Sequence, residues 1–244
     1  MIVLAVGMPR AGSGWHYNLV HDLVVANGGV DARQIRQRYH LGRILTEINC
    51  NIGALTSKRL LPVMVPSLLG NTFAIKAHAG PKPLALRLIS NGYIRPTYIY
   101  RDPRAALLSA YEYGQRGLEG GRANAFSHLT TVEKAIDFML EYVAIWQAWM
   151  NVEKAHTLRY EDLLSNYDAE VTHLLDYLAV TNPDAPKVQA IIEQYRPGQV
   201  SKSDKGLHFH KGQAERFRTA LTAEQLEKAN EAFGGDLQKM GYSI

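Results

Sequence analysis

Ile2-Val3-Leu4-Ala5-Val6 is a continuous apolar run closed by Gly7. That is the pattern of a strand buried on both faces, as in a parallel sheet. Leu19, Val20, Leu23 and Val24 follow at helical spacing, and Asn27-Gly28-Gly29 stops the helix. Residues 32–48 carry scattered apolar positions among Arg33, Arg36, Arg38 and Arg43 and predict a helix. Residues 60–66 are apolar but broken by Pro62 and Pro66 and read as a packed connector, with a pocket lining as the alternative. Thr72–His78 predicts a second strand. A helix through Leu84, Leu86, Leu88 and Ile89 leads to a third strand at Arg95–Arg101. Asp102-Pro103 opens the next helix with a capping acid and a proline at the first helical position. Residues 114–127 read as a loop, a candidate lid. Residues 132–152 form an amphipathic helix carrying Trp146 and Trp149, and His156–Tyr160 predicts a fourth strand. Helices are expected over 163–178, 183–195 and 223–233, while 199–212 is polar and aperiodic. Strands alternating with helices predict an α/β fold, a central parallel sheet flanked by helices, in one domain spanning 1–244.

Composition narrows the chemistry. With 46% apolar and 20% charged residues the chain is ordinary globular protein. A net charge of +4 suits an anionic ligand but is too weak to argue for nucleic acid. The single cysteine, Cys50, excludes an intrachain disulfide and a cysteine metal cluster, and a reducing cytoplasm is the default. The apolar N-terminus is too short for a secretion signal and lacks a basic flank. No stretch reaches the roughly 18 apolar residues that a membrane span requires.

The first loop carries the strongest chemical signal. Between the first strand and its helix stand Met8-Pro9-Arg10-Ala11-Gly12-Ser13-Gly14-Trp15. Strand, glycine-bearing turn and helix start together aim backbone N–H groups and a helix dipole at an anion. Arg10 adds a fixed charge, and Ser13 is placed to cap the helix and to bond a phosphate-like oxygen. A bare turn is the alternative. Gly7 and Gly12 have the spacing of a nucleoside-triphosphate loop, but the Lys and Ser/Thr that should follow are Ser13 and Gly14. The loop is therefore poorly equipped for Mg·ATP. Lys76 and His78, two apart, share one face near the end of their strand, where open parallel sheets bind ligands. Arg101 ends the third strand and Ser109 lies two turns into the helix beyond. An anion at that junction meets both if the helix packs back over the sheet; otherwise Arg101 is a surface ion-pair residue.

In chain order these segments resemble the sulfotransferase family. Pro9, Arg10, Gly12, Ser13 and Trp15 fit its 5′-phosphosulfate loop, while Ala11 and Gly14 stand where the family has small hydroxyl residues. Lys76-Ala77-His78 is similar to its K-T-H segment. Tyr100 to Tyr111 resembles its 3′-phosphate motif, with Arg101 and Ser109 at the family's eight-residue spacing, Asp102 in place of Asn and Ala106 a second departure. Tyr160-Glu161-Asp162-Leu163 matches its Y-E-D-L. Near the C-terminus Lys211 and Gly212 fit R-K-G, with His210 in place of the arginine, and Phe217 takes a tryptophan position. The resemblance implies a P-loop-like nucleotide-binding sulfotransferase fold and the donor 3′-phosphoadenosine 5′-phosphosulfate (product 3′-phosphoadenosine 5′-phosphate). It implies in-line sulfuryl transfer to an acceptor hydroxyl or amine, on a small molecule or glycan, and no metal. His78 would be the general base, with Lys76 and Arg10 stabilising charge. Residues 10–15, Arg101, Ser109, Tyr160, His210, Lys211 and Gly212 would bind the nucleotide, with Trp15 and Tyr160 flanking its adenine. The rivals are a non-catalytic nucleotide-binding module, against which Lys76 and His78 argue, and a P-loop kinase-like phosphotransferase.

Overall fold

The computed structural model describes residues 1–199 and 215–244. Strands β1 (Ile2–Gly7), β2 (Phe73–Ala77), β3 (Ile94–Tyr100) and β4 (His156–Arg159) form one parallel sheet in the order β2-β1-β3-β4. β1 is central and every residue of it is buried. Ile2, Leu4 and Val6 enter one apolar core and Val3 and Ala5 the other, so both faces select apolar side chains. The expected α/β class and all four strands are present.

The helices in chain order are α1 (Ser13–Ala26), α2 (Ala32–Arg38), α3 (Ser57–Leu68), α4 (Pro83–Ser90), α5 (Pro103–Glu119), α6 (Val132–Met150), α7 (Tyr160–Ser165), α8 (Tyr167–Leu178), α9 (Pro186–Gln194), α10 (Phe217–Ala220) and α11 (Ala223–Lys239). α1 covers one face of the sheet together with α8 and α9. α2 to α6 and α11 cover the other.

Several elements differ from their sequence pattern for identifiable reasons. The helix expected over 32–48 stops at Arg38, because His40 takes a left-handed conformation (φ 54°) before a short turn at Leu41–Arg43. The apolar connector at 60–66 is the middle of α3. Leu60, Val63, Met64 and Ser67 are buried at helical spacing, and that burial outweighs the two prolines inside the helix. The expected loop at 114–127 begins as two further turns of α5. Its glycines serve close packing: a Cβ on Gly114 would lie 2.2 Å from the Phe126 carbonyl oxygen, and one on Gly117 2.2 Å from Asn124 Nδ2. The chain after α5 thus folds back onto that helix. The expected helix 163–178 is two, joined at Asn166, and Tyr160 opens α7 instead of ending a strand. The last helix runs on to Lys239 behind a capping box of Thr222 and Gln225.

The strand order sets where a ligand can sit. From β1 the chain leaves toward β2, and from the adjacent β3 toward β4. The crevice beyond the carboxyl ends of β1 and β3 is therefore the topological switch point. The loops carrying Arg10 and Arg101 both rise there.

Candidate active site

The loop after β1 is pinned at its start, where Met8 N–H donates to the Ile99 carbonyl at 3.0 Å. Two of its residues have left-handed backbones, Arg10 (φ 63°) and Gly12 (φ 75°). For arginine that conformation costs energy and is held only because the surroundings impose it. At Gly12 no other residue fits, since a Cβ would lie 2.7 Å from the Tyr160 ring. The expected cap is corrected here. Gly12 occupies the capping position, Ser13 is the first helical residue, and no side chain caps α1. The N–H groups of Ser13, Gly14 and Trp15 have no intrahelical acceptor and belong to the positive end of the helix dipole.

Arg10 is seated by aromatic rings. Its guanidinium lies 4.6 Å from the Tyr113 ring centroid and 5.8 Å from that of Phe126. Its Nε donates to Ser109 Oγ at 3.1 Å. Burial first, with help from the nearby Arg116 and Arg101, lowers its pKa to about 10. Arg101 lies 4.5 Å over the Tyr160 ring and donates from Nη1 to the Arg10 carbonyl at 3.4 Å. Its charge is 3.9 Å from Glu161 Oε1. The structure thus brings Arg10, Arg101, Ser109 and Tyr160 together, with Ser109 reaching the site through Arg10.

Lys76 lies on β2 in register with Ala5 of β1 and is only 6% exposed. Its ammonium makes no hydrogen bond among the described residues. Burial, then Arg10, lowers its pKa to about 8. A buried cation without a carboxylate is costly unless an anion arrives. His78 follows β2 directly, and its Nδ1 lies 2.6 Å from the Gly7 carbonyl oxygen. A carbonyl only accepts, so Nδ1 carries the proton and Nε2 keeps a lone pair. Burial first, then Lys76, lowers the imidazole pKa to about 4. Burial keeps the ring neutral at pH 7, beside a cluster of cations.

Trp15 is 2% exposed, donates from Nε1 to the Tyr195 carbonyl at 2.9 Å, and stacks on Tyr167 at 6.2 Å. Ala11 is fully buried. His210, Lys211 and Gly212 lie outside the described residues. The residues missed from sequence are Tyr113 and Phe126, which hold Arg10, and Glu161, which faces Arg101 and accepts from Tyr242 at 2.7 Å. Aromatic residues flanking a glycine-rich stretch gave a local hint of the Arg10 seat. The Tyr242 contact spans 81 residues and had none.

The pattern described as the sulfotransferase domain matches residues 2–243 of the chain. No curated protein matches. Among solved structures, mouse sulfotransferase SULT7A1 complexed with PAP superposes with a TM-score of 0.60 at 15% identity, over 97% of this chain and 84% of that one. Retinol dehydratase in complex with androsterone and inactive cofactor PAP gives a TM-score of 0.60 at 17% identity, over 97% and 80%. Its complex with retinol and PAP gives 0.56 at 16%, over 97% and 81%. At these identities the likeness is one of fold.

Proposed function

This chain belongs to the sulfotransferase domain family, and from that membership we propose that it moves the sulfuryl group of 3′-phosphoadenosine 5′-phosphosulfate to an acceptor hydroxyl or amine on a small molecule or glycan. The observation that carries the reading is the pairing of His78 with the Gly7 carbonyl beside the Lys76 ammonium, which meets no carboxylate among the described residues. His78 Nε2 takes the acceptor's proton as the acceptor atom bonds to sulfur and the bond from sulfur to the 5′-phosphate oxygen breaks. Lys76, Arg10 and the first N–H groups of α1 stabilise the negative charge on the transferring and leaving oxygens. Arginine keeps its proton far better than lysine, so Arg10 acts as a fixed charge. Arg101 and Ser109, with Lys211, Gly212 and His210, hold the 3′-phosphate. Trp15 and Tyr160 bound the adenine side. The gathered cations fit a polyanionic nucleotide, and a metal has no part in the scheme. The single buried thiol, Cys50, accords with a reducing, cytoplasmic setting.

3′-Phosphoadenosine 5′-phosphate is expected to raise the melting temperature equally in EDTA and in Mg²⁺. Stabilisation by Mg·ATP alone points to a kinase. Arg101→Ala is expected to weaken that ligand about 10- to 150-fold, the worth of charge-assisted bonds of roughly 1.5–3 kcal/mol. Adenosine 5′-phosphate should bind as before. Calorimetry with both nucleotides decides it, and equal losses would assign Arg101 to the 5′ end or to the fold.

The pH dependence follows from the two shifted groups. His78 must be neutral to act, and with a pKa near 4 it stays so across pH 5–7. Lys76 must be charged, and it loses its proton as pH rises through about 8. kcat/KM is therefore expected to be flat from about pH 5 to 7 and to fall above 8. Lys76→Arg should remove the alkaline fall. An acid limb centred near the ordinary histidine value would contradict this account of His78.

A further inference from the structure

Charge is distributed very unevenly along this chain. From Ala32 to Arg101 there are eleven lysines and arginines and one carboxylate, Glu47. The remainder holds sixteen cations against twenty-two carboxylates, so this third of the chain is strongly positive and the rest negative. Within it α3 turns Leu60, Val63 and Met64 inward and leaves an apolar stripe outside. Leu61, Val65 and Leu68, at helical spacing, are 58%, 48% and 65% exposed, and Leu69 at the helix end is 67% exposed. Lys58 stands on the same stripe, three residues before Leu61. α4 packs beside α3 and adds the exposed Leu86, flanked by the exposed Lys82 and Arg87. A contiguous apolar face of this kind marks an interaction surface. A helix with leucines on its free face and basic residues around it has the composition of one that lies in a lipid interface.

We propose that the α3–α4 face docks on an anionic bilayer surface. Leu61, Val65, Leu68 and Leu69 enter the boundary between headgroups and acyl chains, and Lys58, Lys82 and Arg87 meet lipid phosphates. The exposed Lys58, Lys82 and Arg87 beside the stripe, with no carboxylate in α3 or α4, select an anionic partner. The apolar stripe selects a lipid over a nucleic acid, which would be gripped by charge without leucines. None of these residues belongs to the catalytic cluster, so the proposal stands apart from the reading of the active site.

The test is sedimentation of the full chain with vesicles of phosphatidylcholine alone and with one quarter phosphatidylglycerol, at 50 mM and 500 mM salt. Binding is expected to the anionic vesicles at low salt, and to weaken with salt. The triple variant Leu61→Ser, Val65→Ser, Leu68→Ser should lose at least about tenfold in partitioning. So should Lys58→Glu with Lys82→Glu and Arg87→Glu, since each basic residue near the surface is worth about fivefold. All six positions are exposed, and unchanged melting temperatures show that the variants fold. Three results overturn the proposal: no binding to anionic vesicles, binding that neither variant reduces, or capture by duplex DNA in place of vesicles. In the first case, self-association that the serine variant abolishes would make the face a contact between copies.

Discussion

His78→Ala is expected to lower turnover by about 10²–10⁴, the range for loss of one general base, while 3′-phosphoadenosine 5′-phosphate binds as before. The imidazole is held by the Gly7 carbonyl in the tautomer that leaves Nε2 open, and burial keeps it unprotonated. Removing it leaves the loop, Arg10, Lys76 and Arg101 in place, so the loss falls on the proton transfer. His78→Gln keeps a donor toward Gly7 but has no base of comparable strength, and should be nearly as inactive. Steady-state rates with excess donor, beside nucleotide calorimetry on the same variants, measure the two effects separately. Wild-type turnover in a folded His78→Ala chain would take the imidazole out of the mechanism.

Arg104→Leu is expected to cost about 3–5 kcal/mol of folding stability, the loss that follows when one partner of a buried ion pair is removed. The guanidinium is 1% exposed and forks onto Asp102, from Nε to Oδ1 at 3.1 Å and from Nη2 to Oδ2 at 2.8 Å. It also donates to Asn230 Oδ1 at 2.8 Å and the Ser243 carbonyl at 2.7 Å, and lies 4.6 Å over the Phe217 ring. One side chain thus ties the start of α5 to α10, α11 and the C-terminus. Without it the buried Asp102 carboxylate keeps, among the described residues, only its cap to the backbone N–H of residue 104. Arg104→Lys should recover only part, because an ammonium cannot reach four acceptors in different directions. Urea unfolding measures the difference, and a loss under about 1 kcal/mol would mean that the network contributes little.

Asp102 also shows what could and could not be read from the sequence. Its capping role was legible, because Asp-Pro before a helix is a local signal. Its departure from the family's asparagine became intelligible only with the fold, since the carboxylate is the partner of Arg104. The same division holds across the site. β1, the tight turn after it, the neighbouring Lys76 and His78 at the end of β2, and Arg101 just past the end of β3 were legible because strand periodicity and turn chemistry are local. The aromatic seat of Arg10 depends on the chain doubling back over α5, which Gly114 and Gly117 permit by lacking a side chain. Read locally, those glycines signal a loop. Pro62 and Pro66 misled in the same way, their helix being sustained by burial along its inner face.

The position of β1 at the centre of the sheet has a consequence for the chain while it is being made. β1 is completed by residue 7, yet its neighbours span 73–77 and 94–100. At ribosomal speeds of about 5–20 residues per second, its first partner follows roughly 3–15 s later. Throughout that interval a six-residue apolar strand has both hydrogen-bonding edges open, the condition in which strands pair with other chains. β1 therefore waits unpaired in the growing chain, and a chain interrupted before β2 presents it with no partner of its own.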